Sequence, residues 1–432
     1  MTPRKPRTGP SVFLELAVAL GLIALVMPLL FSVAYGGLLG NIGNNPILAF
    51  AVVGAFIIHL ASGPSRREVL ITLVLAAVLH FLYQRITGGF ARYFGYMIIN
   101  WGGFLGISSL LVLAIHAIRR QGEQRKSALS DLIAGGAFFY YWIVLGFALT
   151  LTDYLIPRVY DQFLYAFDGS LGFQPSFVLG RLIYGRPLAW DLVRTLYFAI
   201  ALPVAMLYAS QRRGRYALGY KIFPLLIAAS TGGYLLYFVL PGTGPIYEFR
   251  GLFPFHIPPM APHIGKIEPM LERAVRNGMP SLHFGTALLL WWNCRIWPKA
   301  GRAVMLLFLL VTAFATLALG QHYLIDLVVA FPVMLIFQAA AITAVPLSAR
   351  ERWVPLAVGV CGTFAWLAFL RYGVALWLGR HALSWILVSG TMIGCCLLES
   401  RLWKKARASS ERNAQRNFAP NQFQLPGSGR AD

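Results

Sequence analysis

Two histidines stand where polar loops become apolar segments, and their surroundings suit acid–base or nucleophilic chemistry. His283 lies in the stretch RNGMPSLHFGTALLLWW (276–292), and His322 lies in GQHYLIDLVVAF, four residues before Asp326. Residues four apart on a helix share a face. The Asp326 carboxylate can therefore accept a hydrogen bond from one ring nitrogen of His322. This contact would fix the tautomer, leave the other nitrogen as a nucleophile and stabilise the charge that forms on attack.

The two histidines are expected at the same membrane surface. Between them lie one apolar segment, a short basic turn from Arg295 to Arg302, and a second apolar segment. Such a helical hairpin returns the chain to the face that it left, whichever way the protein is oriented. Ser281 is suited to cap the helix that follows it, and a helix N-terminus with free N–H groups attracts phosphate. These features predict phosphoryl transfer through a phosphohistidine, in which His322 attacks phosphorus and His283 protonates the leaving oxygen.

Each motif alone also has a structural interpretation. A serine after proline begins many helices, and His-x-x-x-Asp can be a buried hydrogen-bonded pair. Their combination at one membrane face favours catalysis, because ionisable groups in membranes are costly and usually functional. Two alternatives stay open: a lipid transporter or scramblase that uses the same polar residues as a path, and a structural membrane protein with a decayed site.

The composition predicts an all-α integral membrane protein. Of the 432 residues, 58% are hydrophobic and 12% charged, whereas soluble domains carry about 25% charged residues. A membrane-spanning helix needs about 20 apolar residues. About twelve segments approach that length, although several are short: 11–35, 46–62, 69–84, 93–117, 132–155, 188–210, 217–240, 283–298, 302–319, 322–345, 354–370 and 375–398.

The basic residues orient these segments. Most of the 37 lysines and arginines fall in alternate connections if both termini are cytoplasmic. The expectation is a multi-pass protein of the plasma or inner membrane, with the histidines on the non-cytoplasmic face. The net charge of +21 then reflects loops against an anionic leaflet rather than nucleic-acid binding. The expected partners are the bilayer and a lipid phosphate or phospholipid substrate, while the sequence gives no oligomeric state.

The segments around the histidines resemble a known family. MPSLH and GQHYLIDLVVAFP resemble the second and third signatures of the type 2 phosphatidic acid phosphatase superfamily. The stretch RNGMPSLH, with LYFVLPGTGPIYEF and YDQFLYAFDGSLGFQPSF upstream, resembles the inositol phosphorylceramide synthase-like branch. The resemblance covers roughly residues 131–345. It implies a six-helix phosphatase- or phosphotransferase-like core that is independent of metal and needs no cofactor.

The resemblance also implies roles: His322 as nucleophile, Asp326 as its partner, His283 as acid/base and Ser281 as phosphate ligand. Two phosphate-binding cations of the superfamily are missing from their usual places. Thr316 stands six residues before His322 where an arginine is usual, and Leu179 stands where a lysine precedes Arg-Pro. The candidate replacements are three arginines: Arg276 first, with Arg250 and Arg273 behind it. For Arg276, an anchor at the membrane interface is the alternative.

The chain is thus predicted to have four regions. These are a four-span membrane region (1–130), the catalytic core (131–345), two C-terminal spans (346–398) and a basic, partly disordered cytoplasmic tail (399–432). The core would transfer a phospho-headgroup to a polyol such as inositol, or act as a lipid phosphate phosphatase with water as the acceptor.

Overall fold

A computed structural model describes residues 46–87, 94–212, 220–259, 270–271 and 274–418, and these are mostly helical. The first half contains α1 Pro46–Ala61, α2 Arg66–Thr87, α3 Phe94–Arg119, α4 Gly122–Leu155, α5 Asp161–Gly169, α6 Pro175–Ile183, α7 Pro187–Phe198 and α8 Ala201–Arg212. The second half contains α9 Ile222–Leu236, α10 Pro245–Glu248, α11 Leu282–Asn293, α12 Lys299–Ala318, α13 Leu324–Ala341, α14 Arg350–Tyr372, α15 Val374–Trp377 and α16 His381–Phe418. A 3-10 turn, Cys294–Ile296, follows α11.

Long apolar helices indicate a protein embedded in a membrane. Within the described ranges, six helical stretches are long and apolar enough to cross a bilayer: Gly122–Leu155, Pro187–Gln211, Lys299–Ala318, Leu324–Ala341, Arg350–Tyr372 and His381–Arg412. Three shorter apolar helices accompany them: Phe50–Ala61, Phe104–Arg119 and Ile222–Leu236. The prediction of about twelve spans is not confirmed, and its first span, 11–35, lies outside the described residues.

Two predicted spans have a different local structure. The segment 188–210 is divided into α7 and α8, with a turn at Ala199 and Ile200. Pro203 explains this break, because proline has no N–H to donate to the carbonyl four residues earlier and its ring crowds that carbonyl. The segment 375–398 is divided between the short α15 and the beginning of α16. Helix α16 continues to Phe418, so the described part of the predicted tail is helical.

Helix α13 forms the centre of the packing. It lies against α14, α16, α11 and α9, and most of its side chains are buried. Helix α12 pairs with α11 as the expected hairpin and also contacts α6 and α7. Helices α1, α3 and α4 pack on one another, and α1 also packs on α8. The core therefore places the beginnings of α11 and α13 side by side.

Two long connections are joined by a short antiparallel pairing. Strand β1 (Arg158–Val159) pairs with β2 (Met270–Leu271), with Arg158 opposite Leu271. The first connection contains α5 and α6, and the second contains α10. This pairing brings the segment before α11 back to the end of α4.

Candidate active site

His322 lies in the turn between α12 and α13, where its ring is held from one side. Its Nδ1 is 2.8 Å from the carbonyl oxygen of Gly278 and 3.2 Å from Oδ2 of Asp326. Because a carbonyl oxygen only accepts, Nδ1 carries the hydrogen, and Nε2 is left with its lone pair. The backbone is also fixed, since Ser176 Oγ donates to the His322 carbonyl at 2.8 Å. This tautomer is the one that a nucleophilic Nε2 requires.

Asp326 is oriented by the first turn of α13. Its Oδ2 accepts from the backbone N–H of Tyr323 at 2.9 Å, in addition to the contact with His322. Its Oδ1 is buried and has no hydrogen-bond partner among the described residues. The carboxylate therefore lies close to the imidazole on which positive charge would develop, with solvent excluded.

Asp168 of α5 caps the helix that carries the site. Its two carboxylate oxygens accept from the backbone N–H groups of Leu324 at 2.7 Å and Ile325 at 3.1 Å. These N–H groups belong to the first turn of α13 and have no partner within the helix. Burial raises the pKa of Asp168 to about 8, while the hydrogen bond from Leu324 opposes this rise. Only the fold shows that Asp168 holds the turn after His322.

Asp161, at the other end of α5, holds the loop that faces His322. Its carboxylate accepts from the backbone N–H groups of Thr243, at 2.9 and 3.1 Å, and of Gly244, at 2.8 Å. Burial raises the pKa of Asp161, and these hydrogen bonds oppose the rise. The 241–244 loop is thereby fixed against the segment that contains Gly278.

Two glycines allow the loops of the site to approach one another. The Gly278 N–H donates to the Gly242 carbonyl at 2.8 Å, and a Cβ on Gly278 would lie 2.8 Å from the carbonyl carbon and oxygen of Gly242. Gly244 has φ of +97°, and a Cβ there would lie 2.3 Å from the carbonyl oxygen of Gln321. Real Cβ atoms do not come this close to backbone, so both positions need glycine.

His283 lies in the first turn of α11, beside the His322 turn. Ser281 caps this helix through its Oγ, which accepts from the Phe284 N–H at 3.4 Å. The Ser281 N–H donates to the carbonyl of Asp326 at 3.1 Å, and this bond ties the two helix beginnings together. The His283 ring stacks on Tyr197 of α7, with centroids 4.1 Å apart. In the described part of the chain, its Nε2 is buried without a hydrogen-bond partner.

Both histidines line one cavity of about 100 Å³. The polar part of the lining near them includes Asn277 and Thr286, and the apolar wall comes largely from α4. The α4 residues are Trp142, Leu145, Gly146 and Leu149. Their spacing places them on one face of the helix. The structure thus brings His283, His322 and Asp326 together next to an apolar groove.

The arginines named from the sequence lie in different surroundings. Arg276 is buried, and its guanidinium donates to the carbonyls of Ile156 (2.7 Å), Pro157 (3.2 Å) and Ala274. Its Nη1 also lies 3.6 Å from Oδ1 of Asp153. Arg276 therefore caps the C-terminal end of α4, and its assignment as a phosphate ligand stays a prediction. Arg250 is exposed in the loop after α10, and Arg273 lies outside the described residues.

The donor set does not form an evident metal centre in the regions that the structure describes. No group of three or more His, Cys, Asp or Glu side chains there could hold a metal ion.

Burial lowers the pKa of His322 to about 4, although the hydrogen bond to Gly278 and the charge of Asp161 oppose this change. His322 is accordingly neutral at pH 7, the form in which Nε2 can attack phosphorus.

Comparison with protein families supports the resemblance seen in the sequence. A family model described as the PAP2 superfamily matches residues 162–340, less than half of the chain. The match supports assignment of this segment to the superfamily, whose chemistry is that of phosphatases and phosphotransferases. It does not confirm the inositol phosphorylceramide synthase-like branch. No curated protein and no solved structure matches the chain.

The low pKa of His322 predicts the acid limb of the pH profile. Protonation removes the Nε2 lone pair, so kcat/KM is expected to fall as the pH drops through about 4 rather than through about 6.5, the value of an exposed histidine. The measurement is kcat/KM against pH with a short-chain lipid phosphate. Thermal unfolding must be followed at each pH, because an unfolded chain binds this proton below about pH 6.5 and stability declines with acid. An acid limb centred near 6.5 with intact protein would contradict the assignment.

Replacement of Gly278 tests the close approach of the two loops. The Cβ of Gly278→Ala would displace the backbone that accepts the hydrogen from His322, so kcat is expected to fall at least about tenfold. Gly136→Ala is the matched control, because a Cβ there meets nothing within 4 Å. Phosphate release by the two purified variants gives the comparison. Equal activity of both variants would show that the Gly278 contact does not position the ring.

Proposed function

We propose that the protein is a membrane lipid phosphotransferase or phosphatase that works through a phosphohistidine on His322. The observation that carries the proposal is the arrangement of two imidazoles on one cavity, His322 buried and His283 partly buried, with His322 Nδ1 held by a carbonyl and by Asp326. A nucleophile, a partner that stabilises its charge and a second proton-transferring group are the parts that this chemistry needs. The family match over residues 162–340 supports the same reaction class.

In the first half-reaction, His322 Nε2 attacks the phosphorus of the donor lipid. A nitrogen–phosphorus bond forms and the bond from phosphorus to the leaving oxygen breaks. The leaving oxygen takes a proton from His283, which acts as general acid. The Asp326 carboxylate stabilises the positive charge on the phosphorylated ring, because it lies 3.2 Å from Nδ1 in surroundings that exclude water.

In the second half-reaction, an acceptor hydroxyl attacks the phosphohistidine. The nitrogen–phosphorus bond breaks, His322 regains its lone pair, and His283 takes the proton of the acceptor. An alcohol gives a transferase and water gives a phosphatase by the same steps. The resemblance of RNGMPSLH and its upstream segments to the inositol phosphorylceramide synthase-like branch supports a polyol such as inositol as the acceptor.

The cavity lining supports a lipid as the donor. One end carries the two histidines, whereas the wall formed by Trp142, Leu145 and Leu149 of α4 is apolar. A phosphate can meet the histidines while the hydrocarbon part of the same molecule lies along α4, where it buries apolar surface. A lipid headgroup at a helix end near the bilayer surface fits this division.

The proposal includes the remaining features expected from the sequence. Ser281 is its phosphate ligand, with Arg276, Arg250 and Arg273 as the candidate cations, although the Arg276 guanidinium already bonds to backbone carbonyls. No metal enters the reaction. The distribution of basic residues supports about twelve spans, with both termini in the cytoplasm and the site on the other face. A lipid transporter or scramblase is the alternative, and release of phosphate or headgroup from a lipid in detergent distinguishes the enzyme from it.

Substitution of the proposed nucleophile gives the direct test. His322→Ala should lower phosphate or headgroup release by at least about a thousandfold, because the variant lacks the Nε2 atom to which the phosphoryl group is transferred. The matched control is His256→Ala, which removes an exposed histidine of the loop after α10. Both variants are assayed in detergent with excess chelator, using a donor labelled at phosphorus.

The covalent intermediate is examined in the same preparations. After a rapid alkaline quench, native protein and the His256→Ala variant should carry an acid-labile label on the peptide that contains His322. The His322→Ala variant should carry none. Undiminished turnover in His322→Ala would refute the proposal, and so would a label on another residue.

A further inference from the structure

The residue between Arg276 and Gly278 is held on both sides and lies against the cavity. Before it, the Arg276 guanidinium bonds to the end of α4 and the Arg276 N–H donates to Thr152 Oγ1 at 2.8 Å. After it, Gly278 donates to Gly242 and accepts from His322. Asn277 thus has a fixed backbone, and its side chain lines the cavity together with both histidines.

Asn277 also has an unused hydrogen-bonding group. Its Oδ1 is buried and finds no partner among the residues that the structure describes. Leaving a buried amide oxygen unpaired is unfavourable, so such groups usually serve a ligand or an ordered water. The unpartnered His283 Nε2 lines the same cavity, which indicates that one occupant can satisfy both side chains.

Thr316 and Arg276 are both engaged in other contacts. Thr316, at the position where the superfamily usually has arginine, donates its hydroxyl to the Thr312 carbonyl within α12. The donors of Arg276 bond to backbone carbonyls. Among the described residues that line the cavity, none is lysine or arginine. The other polar side chains that line the cavity beside the histidines are therefore neutral.

We infer that Asn277 binds the phosphate that is transferred and supplies a neutral hydrogen-bond donor to it. A carboxamide carries two donors and one acceptor, and rotation about its last bond exchanges the two ends. Its Nδ2–H group can donate to a non-bridging phosphate oxygen while His322 attacks and His283 protonates. Donors held in advance at such a position stabilise the charge of the transition state. This inference rests on the proposed function and adds a substrate-binding residue to it.

A phosphate-binding role and a purely structural role of Asn277 predict different results for two substitutions. Asn277→Ala removes the donor and should lower kcat/KM by about a hundredfold. Asn277→Asp has nearly the same shape but places an anion beside the phosphate, and it should lower kcat/KM further than alanine does. Competitive inhibition by inorganic phosphate should weaken in the same order, because it reports binding without the chemical step.

The control for added charge is Ser348→Asp in the exposed loop before α14, which should keep the native kcat/KM. Thermal unfolding of each variant separates loss of the fold from loss of binding. If Asn277→Asp does not fold, the Asn277→Ala inhibition constant for inorganic phosphate decides: a rise of tenfold or more supports the inference, and an unchanged constant overturns it. In folded proteins, an aspartate variant that is as active as alanine or more active also overturns it.

Failure of this inference is distinguishable from failure of the proposed function. If native protein forms the phosphohistidine on His322 but the Asn277 variants bind phosphate and turn over normally, only the role of Asn277 is wrong. If native protein forms no phosphohistidine, the mechanism itself is wrong.

Discussion

The hydrogen bond from His322 Nδ1 to the Gly278 carbonyl is the interaction on which the site depends. It fixes which ring nitrogen carries the hydrogen, and it joins the segment before α11 to the turn before α13. The carbonyl can reach the ring because Gly278 lies directly against Gly242, with no room for a side chain between them. A contact between two loops, rather than one helix face alone, therefore determines the state of the proposed nucleophile.

Three buried carboxylates hold the backbone segments that form this contact. Asp161 binds the backbone of the 241–244 loop, Asp168 binds the first turn of α13, and Asp326 binds both the Tyr323 N–H and the imidazole. Burying a carboxylate is unfavourable unless several donors surround it. Each of these groups meets backbone N–H groups that would otherwise have no partner. The short helix α5 thus connects the 241–244 loop to the first turn of α13. These contacts hold the segments that surround His322 in fixed positions.

Part of this arrangement could be predicted from the sequence, since it depends on local spacing. The four-residue separation of His322 and Asp326, the cap at Ser281 and the α11–α12 hairpin are all properties of nearby residues. The stacking of His283 on Tyr197 and the capping of α4 by Arg276 depend on residues that are far apart in the chain, and no periodicity reports them. Pro203 could have indicated the break between α7 and α8, but the continuous apolar run 188–210 favoured a single span.

The helices outside the matched segment also contribute to the site. Helix α4 ends before residue 162, where the family match begins, yet it forms the apolar wall opposite the histidines. Its end is attached to the site through Arg276, which lies one residue before Asn277. The position of the substrate's hydrocarbon part and the position of the phosphate are therefore linked through one short segment of chain.

The most direct measurement is an experimental structure of the protein with bound vanadate, which adopts the five-coordinate geometry of phosphoryl transfer. The phosphohistidine mechanism predicts vanadium bonded to His322 Nε2, with the opposite apical oxygen within hydrogen-bond distance of His283. Vanadate bound away from His322, or imidazoles too far apart to contact one vanadate, would contradict it.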